Sequence, residues 1–243
     1  MTIRRNRALT VELCVATLDG VLAATTAGAD RVELCRNLAC GGLTPNDEMI
    51  LAAASACRQR GLAMRILVRD LPDTFVHTPA ECAQLVAQIA RLRQLLHEDD
   101  QVGFVTGALT AGGDIDPGFL REVRAAAGAA PLVFHRAIDA AADYRTALEK
   151  VRDAGFNAVL TTGAGGSVAS VTGLQRARQI LGDQAAAIGS GGLRAGNIAQ
   201  VVGNAGLEEV HFRAPCQHPD STDPQLAAEI VQAAREGHGR VEG

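Results

Sequence analysis

Eight short β-like runs alternate with eight longer, Ala-rich helical segments along 243 residues, an order that predicts an α/β chain folded as a single (β/α)8 TIM-like barrel. Length agrees, because eight βα units consume ~250 residues and leave no room for a second domain. A doubly wound open sheet would place a tight G-x-G-x-x-G after its first strand, and Val15–Gly20 contains nothing of the kind.

The strands are expected at Thr10–Cys14, Arg31–Cys35, Met64–Arg69 and Val102–Ala108, then at Leu132–Arg136, Ala158–Thr162, Ala185–Gly189 and Glu209–Arg213. Each is a short β-like run set between longer helical segments. The first helix is the Ala-rich Leu18–Ala27. Three later helices open on proline: Pro45 after Thr44, running to about Arg60; Pro79 after Thr78, running to about Leu96; and Pro117 after Asp116. Proline suits a first helical turn, and Thr or Asp before it supplies the cap. Asp143–Ala154, Val168–Leu181, Ala195–Gly203 and Pro224–Arg235 complete the set. The single domain spans 1–243, with the barrel over about 9–235 and a loose polar tail at 236–243.

Composition excludes several functions. Net charge is -4 and aromatics are 3%, with no Trp and one Tyr, so neither an electrostatic nor a stacking route to nucleic acid exists. No 18-residue apolar stretch could cross a membrane. Arg4, Arg5 and Arg7 imitate a signal n-region, but Glu12 interrupts the apolar run that should follow. Six cysteines without C-x-x-C spacing read as reduced thiols, so the expected location is cytoplasmic. Among 23 basic residues only Lys150 is lysine, which confines imine chemistry to one position on a helix. Barrels of this kind commonly pair, so a homodimer is the expected assembly.

Several groups could carry chemistry. Val11-Glu12-Leu13-Cys14 recurs as Val32-Glu33-Leu34-Cys35 on the next strand. Alternation along a strand puts Glu12 with Cys14, and Glu33 with Cys35, on one face. The thiols offer soft ligands suited to Cu(I); the competing reading is two small buried hydrophobes. His135, Arg136 and Asp139 end the fifth strand, where His offers acid–base work and Arg an anion clamp; the alternative is a structural Arg136–Asp139 pair. Arg69 ends the third strand, either entering the barrel mouth or solvated. The glycine loops at Thr162-Gly163 and Gly191-Gly192 could cradle a phosphate or merely turn the chain. His211 shares a strand face with Arg213 and reads first as a satisfied core histidine.

Gly28-Ala29-Asp30-Arg31-Val32-Glu33-Leu34-Cys35, followed by Gly41-Gly42-Leu43-Thr44-Pro45, resembles the CutC copper-homeostasis family. Phe134-His135-Arg136-Ala137 with Asp139 is similar to a second signature of that family, and Leu160–Gly163, Gly189–Gly192 and Val210-His211 resemble its later loops and last strand. The likeness runs from about Leu9 to Ala214. It implies a TIM-like barrel in the cytoplasm, a role in copper homeostasis, and Cys14 and Cys35 as the Cu(I) ligands. The chain departs from the pattern at Asp70-Leu71-Pro72, His77, Thr162, Ser190 and Phe212-Arg213.

Three functions follow. The first is a copper-binding protein using Cys14 and Cys35, shaped by Glu12 and Glu33. The second is an enzyme on a small anionic or phosphorylated compound. Glu12, Glu33 and His135 would be its acid–base groups; Arg69, Arg136, Asp139, Thr162, Gly163, Gly191, Gly192 and His211 would bind the ligand. The third is a binding barrel without a reaction.

Overall fold

A computed structural model of the chain describes residues 8–97, 99 and 101–239. Arg4, Arg5, Arg7 and the last four residues of the tail lie outside them. Eight strands run in order: β1 Thr10–Val15, β2 Arg31–Leu34, β3 Ala63–Leu67, β4 Val102–Thr106, β5 Leu132–Phe134, β6 Ala158–Thr161, β7 Ala186–Gly189 and β8 Glu209–Phe212. Each is followed by a helix: α1 Leu18–Ala27, α2 Asp47–Arg60, α3 Pro79–Leu95, α4 Pro117–Ala127, α5 Tyr144–Asp153, α6 Val171–Leu181, α7 Ile198–Ala205 and α8 Pro224–Gly239. All strand pairs are parallel, and β8 returns to β1 to close the barrel.

Period-two alternation divides the apolar residues into two shells. Val11, Leu13, Val32, Leu34 and Ile66 pack outward with the buried faces of the helices. Cys14, Cys35, Leu67, Val105, Val133, Leu160 and Ile188 form a separate cluster inside the barrel. The residues between the outward-facing ones therefore decide what the interior can do. In β1, β2 and β8 these are Glu12 and Cys14, Arg31 and Glu33, and Glu209 and His211.

Several boundaries differ from the sequence expectation. Asn46, not Thr44, caps α2, and the helix starts at Asp47; the Thr44 hydroxyl is engaged with the Arg69 backbone instead, accepting from its N–H at 2.9 Å. α6 begins at Val171 rather than Val168. Gly163, Ala164, Gly165 and Gly166 all have positive φ, which a right-handed helix cannot accommodate, so the helix waits for the Ser170 cap. α7 begins at Ile198 rather than Ala195, because the Asn197 side chain ties the preceding turn to Arg194 N–H and the Gly192 carbonyl. α8 continues to Gly239, past the Arg235 expected from sequence. Gly237 lies directly against the Ala199 backbone, where a Cβ would collide, so the helix stays packed on α7. Two 3-10 helices were not foreseen, Leu38–Cys40 and Arg136–Ala140. The second shortens β5, so His135 caps that short helix and Arg136 opens it, both beyond the strand.

Candidate functional site

Six of the predicted strands end one or two residues early, and the residues just past the last ladder pairs line one cavity of about 620 Å³ at the carboxyl end of the barrel. Its lining includes Cys14, Glu33, Arg69, His135, Arg136 and His211. This is the end where barrel strands present reactive groups.

Beneath the cavity lies a charged layer set by register. Glu12 stands opposite Arg31 of β2 and His211 of β8. The Arg31 Nε donates to Glu12 Oε2, and its Nη2 donates to Glu209 Oε2 at 2.7 Å. The His211 Nδ1 meets the other Glu12 oxygen at 2.7 Å. Glu12 is 1% exposed, so these partners must replace its water. Burial alone would raise its pKa, yet Arg31 and His211 together hold the carboxyl well below the usual range. Glu12 is therefore a fixed anion that orients His211, and it has no proton to exchange near neutral pH.

One step higher, the donor atoms of Cys14, Glu33 and His211 lie within 4.8 Å of one another. The Cys14 thiol donates to Glu33 Oε1 at 3.7 Å and lies 3.6 Å from the Cys35 sulfur. Cys35 is fully buried behind it and donates to the Val15 carbonyl at 3.5 Å. The two form no disulfide. Burial pushes Glu33 up to about 7 despite the nearby imidazole, and its Oε2 has no hydrogen-bond partner. Burial alone would lower His211, but the Glu33 and Glu12 carboxylates and the hydrogen bonds to Cys14 and Glu12 hold it well above 6.5. The Cys35 contact and burial push the Cys14 thiol well above its ordinary value.

On the cavity wall, Arg69 is 6% exposed and donates to the carbonyls of Cys40, Gly42 and Pro72. It is a buried cation, not a solvated strand end. His135 packs against Phe75 at 5.2 Å between ring centroids, and its Nδ1 accepts from Ala137 N–H at 3.2 Å. The proton therefore sits on Nε2, which has no partner. Asp139 accepts from Arg136 Nε, from the Thr161 hydroxyl and from Thr162 N–H. It holds Arg136 in place, while Asp143 caps the next helix.

Burial, aided by Arg69, pushes His135 down to about 3. Unfolding would return it to its ordinary value, 6.5. Its contribution to stability is thus complete above pH 6.5 and is lost as pH falls toward 3, at up to about 1.4 kcal/mol per pH unit. Glu33 works in the opposite sense: raised to about 7 from 4.5, it contributes fully below pH 4.5 and loses that contribution as pH rises through 7. Urea unfolding of wild type and His135→Gln isolates the first effect. The stability difference between the two is expected to change by about 1 kcal/mol per pH unit between pH 6.5 and 4.5. A difference constant across that range would contradict a neutral buried His135.

The sequence matches the CutC family over residues 9–215. The chain belongs to the CutC family. A CutC family protein of Mesorhizobium japonicum is 37% identical over 207 residues, covering 84% of this chain and 77% of its own. One from Salmonella schwarzengrund is 32% identical over 241 residues, covering 96% and 92%. The solved structure of a protein from Streptococcus agalactiae, named for copper homeostasis as CutC, superposes with a TM-score of 0.76 at 25% identity, covering 84% of this chain and 97% of that one.

Within this CutC chain the expected site residues separate by position. Cys14, Glu33, Arg69, His135, Arg136, Asp139, Gly191, Gly192 and His211 line the cavity. Glu12 and Cys35 lie just behind its floor. Thr162 and Gly163 stand off the wall. Thr162 N–H is held by Asp139, and Gly163 packs on the start of α6, where a Cβ would meet Leu174 N at 2.6 Å. Three contributors escaped notice in the sequence: Arg31, Glu209 and Arg194. Arg31-x-Glu33-x-Cys35 and Glu209-x-His211-x-Arg213 were visible as charged residues alternating along a strand, and that alternation was the available signal.

Proposed function

We propose that this CutC protein is a cytoplasmic copper-homeostasis protein that takes up Cu(I) as cargo at the floor of the barrel mouth. Cys14 and Cys35 would supply thiolates and His211 a nitrogen. The observation that carries this reading is the pair of sulfurs 3.6 Å apart without a disulfide, with the His211 and Glu33 donor atoms gathered around Cys14. Soft sulfur with imidazole suits Cu(I) better than it suits hard cations. The surroundings also fit a positive ion. The Glu33 Oε2 is buried without a partner, and a cation beside it would compensate its charge. Glu12 holds His211 through Nδ1, leaving Nε2 as the donor, the usual way a carboxylate orients a ligating histidine.

Metal uptake by this set must displace protons, because the Cys14 thiol and the His211 imidazolium both keep theirs at neutral pH in the free protein. Each displaced proton strengthens binding up to about tenfold per pH unit. An anaerobic competition titration against a chromophoric Cu(I) chelator at pH 6, 7 and 8 tests the proposal. Affinity should rise at least about tenfold per pH unit over the range. Affinity independent of pH, or no competition at all, would count against thiolate ligation.

A further inference from the structure

The wall of the same cavity carries more positive charge than its own carboxylates balance. Arg69, Arg194 and Arg213 form no ion pair among the described residues and donate only to backbone carbonyls. Arg194 reaches Leu193 at 2.6 Å; Arg213 reaches Leu38 at 3.1 Å and Pro219 at 3.0 Å. The nearby acids are committed elsewhere, Glu12 to Arg31 and His211, and Asp139 to Arg136 and the Thr161–Thr162 turn. Of the carboxylates that line the cavity only Glu33 is left, on the floor. A wall of this sign in a partly enclosed site raises the local concentration of anions.

Two wall groups are buried and still short of an acceptor. Arg69 is 94% buried by its 6% exposure, and its Nε has no partner; the same holds for the His135 Nε2–H, at 4% exposure. Phe75 packs against both: its ring centre lies 5.2 Å from Arg69 Cζ and 5.2 Å from the His135 ring, which is tilted by 51°. On another part of the wall, Gly191 and Gly192 take positive φ in succession, 95° and 61°. Among the described residues no group accepts from the backbone N–H of Gly191, Gly192 or Leu193. Gly191 has no room for a side chain, since a Cβ would meet the Ser167 carbonyl oxygen at 2.9 Å. Successive free amides in such a turn make an anion-binding concavity.

We propose that the cavity wall binds a small phosphorylated metabolite. Its phosphate would sit at the Gly191–Leu193 amides between Arg194 and Arg213, with Arg69 and His135 lining the rest of the cavity. A phosphate monoester supplies nearly two negative charges, whereas a single carboxylate would leave more of the wall uncompensated. A cavity of about 620 Å³ is of the size that takes such a compound. This inference does not rest on copper: it uses none of the sulfur ligands.

Inorganic phosphate is the probe, titrated into metal-free protein by isothermal calorimetry at constant ionic strength, with chloride and acetate as controls. Saturable binding at one site, at least tenfold tighter than acetate, is expected. Arg194→Gln, an exposed and structurally mild change, should weaken it at least fivefold, and Arg213→Gln should weaken it further. Cys14→Ser/Cys35→Ser should leave phosphate binding within twofold of wild type, which separates this site from the copper reading. Phosphate indistinguishable from chloride, or Arg194→Gln and Arg213→Gln both equal to wild type in protein shown folded by circular dichroism, would overturn the proposal.

Discussion

Replacing Cys14 and Cys35 together by serine is expected to lower Cu(I) affinity by at least about 100-fold. Serine keeps the size of the side chain and removes the soft donor, so the barrel should fold while the sulfur site disappears. The two single variants should be unequal. Cys14 faces the cavity with His211 and Glu33 beside it, whereas Cys35 is fully buried and bonded to the Val15 carbonyl. Cys14→Ser should therefore weaken binding more than Cys35→Ser. Competition against a chromophoric chelator measures all three. Equal affinity in wild type and double variant would remove the thiolate site.

The second large effect concerns stability. Arg31→Met is expected to destabilise the barrel by about 3–5 kcal/mol, because it leaves Glu12 and Glu209 without their shared cation in a nearly dry interior. For a chain of this size that is a fall in Tm of roughly 6–20 °C. The Arg31 side chain is 8% exposed and the Glu12 side chain 1%, so solvent cannot take over the lost contacts. Removing the stranded charges as well, in Arg31→Met/Glu12→Gln/Glu209→Gln, should recover part of the loss, since the penalty lies in an unpaired buried charge. Differential scanning calorimetry on the two proteins decides the matter. A Tm within about 2 °C of wild type for Arg31→Met would show that the charged layer contributes nothing.

The barrel was legible because each strand is a short apolar run and several helices announce their starts. Thr78-Pro79 with Glu81 is a complete capping box, and Asp116-Pro117 a cap followed by a first-turn proline. Boundaries slipped where loop residues had other partners, as at Thr44 with the Arg69 backbone and Asn197 with Arg194 and Gly192. Within the site, Glu12, Cys14, Glu33 and Cys35 could be placed together because β1 and β2 are consecutive strands. The Glu12–His211 pair could not, because the two residues are 199 apart in sequence and meet only when β8 closes on β1. For the same reason His211 read as a core histidine, although it stands at the centre of the donor cluster. The roles of Arg31 and Glu209 depend on that closure too. Asp139 shows the converse: its link to Arg136 was readable locally, at a spacing of three residues, but its hold on Thr161 and Thr162 needed β6 to lie alongside.

Copper K-edge X-ray absorption on the anaerobically loaded wild-type protein tests the central claim most directly. The account predicts one equivalent of Cu(I) with sulfur scatterers from Cys14 and Cys35 and a nitrogen scatterer from His211, the sulfur contribution vanishing in Cys14→Ser/Cys35→Ser. A first shell of oxygen and nitrogen alone in the wild type would contradict it.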